Sequence, residues 1–183
     1  MLYLDNSSYK PEDAIYLKNK ARALISGHEI IIRDTRVSSR YIEYDISIPN
    51  GEDINDLANK LSDIGLFANY YEVAERHRDK PEAMAEAVVL FNEEKYWIAH
   101  EILESVWKVS QGDEKNLING IILVSAAFVH DEKGEADISI SILKRAMKKL
   151  EKANGIYYQI CIDALKNRIR NILSSGKVER FRI

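Results

Sequence analysis

The chain has 183 residues, of which 46% are hydrophobic and 30% charged, and its formal net charge at pH 7 is -3. That composition fits a globular protein with a real core, as one large domain or two small ones, and gives no general electrostatic footprint for DNA or RNA. No apolar run reaches the roughly 18 residues a membrane span needs, and the start MLYLDNSSYK lacks the pattern of a signal peptide, so the chain reads as cytoplasmic.

Residues 1–75 read as a mixed module. LYLD is a short strand. KPEDAIYLKNKARALIS follows as a helix, with Pro11 in its first turn, Ala14, Leu17, Ala21, Leu24 and Ile25 on one stripe, and Gly27 as its stop. HEIIIRDTRV is a strand. RYIEYDISIP is another, in which Ile42, Tyr44, Ile46 and Ile48 alternate with Glu43, Asp45 and Ser47. PNGED is a turn, and Asp53 or Glu52 opens a helix over INDLANKLSDIG. LFANYYEVA closes the module as a strand. The order βαββαβ predicts a ferredoxin-like antiparallel sheet with both helices on one face. RNA-binding versions of that fold expose aromatics on the central strands, whereas Tyr44 shares its face with isoleucines and reads as core. Open sheets of this kind often pair, which makes a homo-oligomer a candidate state.

ERHRDKPEA, residues 75–83, is charged and contains a proline, so it reads as a linker or as the polar start of a helix. From residue 82 to about 175 the apolar period becomes 3.6. Helices are expected at about 82–91, 93–110, 114–131, 136–151 and 154–173. Their connections are short, which predicts an all-α bundle. The fold class is therefore α+β, a ferredoxin-like module followed by a helical bundle. Cys161, the single cysteine, excludes an intrachain disulfide and reads as a small buried hydrophobe within YYQICIDAL. The tail GKVERFRI alternates weakly and reads as a stray strand, a docked arm or a disordered end.

The chemistry concentrates in FNEEKYWIAHEILESVWK, residues 91–108. At about 100° per residue, His100, Glu101, Glu104 and Trp107 all fall within roughly 80° of Trp97, with Tyr96 and Leu103 at the edge. Ile98, Ala99, Ile102 and Val106 occupy the opposite side. A solvated face rarely carries two tryptophans, and a core face rarely carries a histidine and two glutamates. The mixture suggests a half-buried concave surface. His100 and Glu104, spaced i, i+4, are neighbours that can share a metal or form a base and its orienting carboxylate. On the next helix Asn119 and His130 fall on one line with Ala126, whose small side chain permits close approach, and both are candidates for the same groove.

FNEEKYWIAHEILESVW, followed by NGIILVSAAFVH and KGEADISISILKRAMKKL, resembles the helical family known as domain-of-unknown-function family 309. The likeness rests on Phe91, Asn92, Tyr96, Ala99, His100, Glu101, Leu103, Glu104 and Trp107, and it spans roughly residues 82–151. Two positions depart from the pattern: Asn119 stands in place of a glutamine, and Glu135 in place of an asparagine. The resemblance implies an all-α bundle and no assigned activity.

Three readings are open. In the first, Tyr96, Trp97, Glu101, Trp107, Asn119 and His130 form, with His100, a groove for a small molecule or a partner protein. In the second, His100 and Glu104 are catalytic residues for a hydrolytic or proton-transfer step, or, with His130, ligands of a divalent metal. In the third, the front of the helix is a polar network that fixes the fold.

Overall fold

The computed structural model describes residues 1–49, 52–73 and 78–183. The turn expected at PNGED and the linker expected at 75–83 fall partly outside them. The chain divides into two compact units, Met1–Ala74 with Glu132–Gly134, and Glu75–Asp131 with Glu135–Ile183. The molecule is mixed α+β, with a small antiparallel sheet in the first unit and helices dominating the second.

The first unit runs β1 (Leu2–Asp5), α1 (Ala14–Leu24), β2 (Ile31–Val37), β3 (Tyr41–Ser47), α2 (Ile54–Lys60) and β4 (Phe67–Tyr70). Its strands lie in the order β2-β3-β1-β4, with every neighbouring pair antiparallel. One core forms on one side of the sheet. Leu2, Leu4, Ile32, Val37, Ile42 and Tyr44 from the strands meet Ala14, Leu17 and Ala21 from α1 and Leu57 from α2. On β3 Ile42 and Tyr44 are buried as read, and the Tyr44 hydroxyl donates to Leu17 O at 3.2 Å, but Glu43 on the opposite face is buried as well, so burial does not alternate along the strand. Pro11 begins a short 3-10 turn ahead of α1, and Asp53 caps α2 by accepting from Asn55 N–H. α2 stops at Lys60, earlier than its periodicity suggests, and Leu61 and Ile64 stay in the core from the turn that follows.

The other side of β2 and β3 carries buried charge. Arg36 and Glu43 are 2% and 3% exposed and form an ion pair. Glu132 and Lys133 belong to the same unit: Val37 N–H donates to Glu132 O at 2.8 Å, and Lys133 Nζ lies 3.1 Å from Asp34.

The second unit contains α3 (Lys80–Asn92), α4 (Tyr96–Val109), α5 (Gly112–Asp131), α6 (Ala136–Leu150) and α7 (Ile162–Ser175), and each helix packs against the next. Asp79 caps α3 through Glu82 N–H. At Gly120 of α5 an added Cβ would lie 2.6 Å from Leu150, so glycine sets the closeness of α5 to α6. The last helix departs from expectation. Residues 156–161 form a two-stranded hairpin, β5 (Ile156–Tyr157) and β6 (Ile160–Cys161), and α7 starts only at Ile162. The hairpin alternates, burying Ile160 and turning Cys161 outward, so the thiol is exposed where burial was expected. The segment after α7 is a docked arm without regular structure. Phe181 packs on Phe91 and Phe128, and Ile183 pairs with Asn92.

Candidate functional site on helix α4

The turn before α4 sets how the helix begins. Lys95 N–H donates to Leu90 O at 2.9 Å and Glu94 N–H to Phe91 O at 3.0 Å, which closes α3 in a Schellman arrangement. Glu94 takes the left-handed position, with φ 62, that glycine usually fills.

The two stripes read from the sequence separate by burial. Ile98, Ala99, Ile102, Leu103 and Val106 are buried. Trp97, His100, Glu101, Glu104 and Trp107 are all half-buried, neither sealed nor solvated. The His100 ring lies nearly parallel to Trp97, with centroids 5.9 Å apart and planes 13° from each other. Its Nε2 is 3.4 Å from Glu104 Oε1. Its Nδ1 is buried and finds no hydrogen-bond partner among the described residues. Lys115 of α5 places its Nζ 4.4 Å from the centroid of Trp107, a cation–π contact that covers part of that ring.

Two of the other expected site residues, Tyr96 and His130, are engaged by other partners. Tyr96 is 1% exposed, stacks on Phe128 at 4.7 Å and meets Phe91 edge-on at 4.9 Å, so it belongs to the aromatic core. Asn119 is half-buried on α5. His130 pairs with Glu135, Nδ1 to Oε2 at 2.5 Å, across the turn at Gly134. Among the described residues no group of three or more His, Cys, Asp or Glu side chains is placed to hold a metal ion. Ser105 is exposed, and its hydroxyl donates to Ile102 O at 2.6 Å, an ordinary helical bond that leaves it off the His100 line.

Sequence reasoning missed Lys115 and Glu135. A cation on the following helix, α5, carried no visible signal. Glu135 stood out only as a departure from the family pattern. A second concave region was also missed: a cavity of about 710 Å³ whose lining includes Glu114, Asn116, Lys148, Lys149, Lys152 and Tyr157. At its edge Lys80 Nζ and the Tyr157 hydroxyl both donate to Glu114 at 2.8 Å. Those two donors hold the Glu114 carboxyl below its ordinary range, while burial, then the Glu114 carboxylate, push the Tyr157 hydroxyl up.

Residues 84–142 match the model of the family described as "Domain of unknown function (DUF309)". The match covers the α4 motif, in agreement with the resemblance read from the residues. No curated protein matches the chain. Among solved structures, the chain is similar to a conserved hypothetical protein from Thermus thermophilus, at 27% identity and a TM-score of 0.44. That similarity covers 49% of this chain and 94% of the other.

Proposed function

We propose that the helical unit is a binding module whose recognition face is the front of α4, formed by Trp97, His100, Glu101, Glu104 and Trp107. The observation that carries this reading is the buried His100 Nδ1, which has no partner among the described residues while Nε2 is turned to Glu104. A buried polar nitrogen left unsatisfied costs about 1–3 kcal/mol, and a histidine held for the fold alone would be satisfied on both nitrogens. The ligand that suits the face is a planar small molecule, or a partner's side chain, that lies against the tryptophans and, on a turn of the His100 ring, hydrogen-bonds to Nδ1.

A second reading rests on the same nitrogen. Turned so that Nδ1 meets a bound ligand, the ring would take a proton from it with Glu104 alongside. Metal binding draws less support, because His130 is engaged by Glu135. For the first unit we read the strand order β2-β3-β1-β4 and the order βαββαβ as ferredoxin-like.

The test is His100→Phe, which keeps a ring against Trp97 and removes both nitrogens. A ligand-facing histidine should be replaceable without loss of stability, whereas a histidine that holds the fold should not.

A further inference from the structure

Residues 136–177 hold nine lysines and arginines against three aspartates and glutamates, a local charge of +6 in a chain whose formal charge is -3. The excess gathers on one helix. Lys144, Arg145, Lys148 and Lys149 on α6, and Lys152 in the turn after it, are all exposed. At about 100° per residue the four on α6 share a face roughly 140° wide, while Ser139, Leu143, Ala146 and Leu150 on the other side are buried. Among the described residues none of the five cations forms an ion pair, and Lys149 Nζ donates to Asn116 Oδ1 at 3.3 Å.

A solvated helix face ordinarily mixes both signs, because opposite charges at i, i+4 support a helix and like charges there weaken it. Here Lys144 is followed one turn on by Lys148, and Arg145 by Lys149. Attraction to the negative end of the helix accounts for Lys148 and Lys149 in the last turn, and not for Lys144 and Arg145, which lie further in. A row of like charge kept against the helix's own preference points to a negative partner.

Two observations say which kind. The apolar side of α6 is taken up in the core of the helical unit, so its exposed face offers charge and no apolar wedge for a lipid surface. The row also ends at a concave, aromatic place, since Lys148, Lys149, Lys152 and Tyr157 line one cavity of about 710 Å³. Glu114 in the same lining is already met by Lys80 and the Tyr157 hydroxyl. Asp113 and Glu151 line it as well, so phosphates suit the helix face and the cavity suits an uncharged ring such as a base.

We propose that the exposed face of α6 binds the phosphate backbone of single-stranded nucleic acid, without regard to sequence, through Lys144, Arg145, Lys148, Lys149 and Lys152, with an unstacked base entering the cavity beside Tyr157. The acidic balance of the whole chain conceals a footprint confined to one helix. These residues are separate from the front of α4, so the failure of either reading leaves the other standing.

The test uses the full chain and a fluorescein-labelled oligothymidylate of about 20 nucleotides, followed by anisotropy. Binding should be saturable and should weaken at least about tenfold between roughly 50 and 200 mM salt, because each phosphate contact made by a cation releases counterions. Lys148→Glu should weaken binding at least about tenfold and make it less sensitive to salt. It should also leave the fold intact, since it turns the like-charge pairs with Lys144 and Lys152 into opposite-charge ones. Circular dichroism and thermal unfolding check the fold; Lys144→Gln with Lys152→Gln serves if Lys148→Glu does not fold. Lys10→Glu, in the other unit, makes the same change in net charge and should leave binding within about twofold of the parent. Three results overturn the proposal. One is no saturable binding of the oligonucleotide, and binding of phosphatidylserine vesicles in its place would make a membrane the partner. Another is an equal loss in Lys148→Glu and Lys10→Glu, which would make binding a matter of net charge alone. The third is tighter binding of a duplex of the same length, which would take the base out of the cavity.

Discussion

At the scale of single residues, the structure sorts side chains that the sequence could only group. Trp97, His100, Glu101, Glu104 and Trp107 were legible together because they share one helix, and helical period alone puts them on one face. Tyr96 was not separable from them by period. It sits one position before Trp97 and turns into the Phe91 and Phe128 cluster. His130 was aimed at the same groove by its place on α5, but the chain reverses through Gly134 and returns Glu135 to it, a contact that depends on turn geometry. Glu94 yields a prediction of its own. Its left-handed backbone favours glycine by about 1 kcal/mol, offset in part by the ion pair with Arg180. Glu94→Gly should therefore raise the urea midpoint modestly. A lowered midpoint would mean that the carboxylate's contacts outweigh the backbone strain.

At the scale of elements, the strands and helices with clear apolar periods were legible, and the exceptions have physical causes. The β5–β6 hairpin was read as helix because Ile156, Tyr157, Ile160 and Cys161 are apolar in a helix-compatible spacing. Each strand has two residues, too few to show alternation. The turn places Tyr158 at φ 51 without the asparagine or glycine that usually announces such a turn. The short α2 is a similar case, since Leu61 and Ile64 are buried from a turn as well as they would be from a helix. The pairing of α5 with α6 depends on one small residue. At Gly120 a methyl group would meet Leu150 at 2.6 Å. Gly120→Ala should destabilise the protein by about 1–3 kcal/mol in chemical denaturation, despite alanine's better helix propensity. A neutral or stabilising result would show that α6 can shift to make room.

At the scale of the whole molecule, the paired carboxylates should set the acid limit of stability. Burial acts to raise the Asp34 carboxyl, but Lys133, Arg36 and Thr35 N–H outweigh it and hold the group below its ordinary range. Lys80 and Tyr157 do the same for Glu114. Folded-state values below the unfolded ones mean that each group stabilises the fold above the unfolded carboxylate range, near pH ~4, and loses that contribution as pH falls through the folded value. The melting temperature should fall on acidification below about pH 4.5, and Asp34→Asn with Glu114→Gln should flatten that limb. An unchanged acid limb in the double variant would place the titrating groups elsewhere.

Two units are present, and the proposed recognition face lies wholly on the helical one. The claim that this face exists for a ligand is tested most directly by the unfolding free energy of His100→Phe against the parent at neutral pH. The aromatic contact with Trp97 is retained and an unsatisfied buried nitrogen is removed, so the account predicts a change within about 0.5 kcal/mol of zero or a gain of about 1 kcal/mol. A loss greater than about 2 kcal/mol would make His100 a residue that holds the fold and would contradict the account.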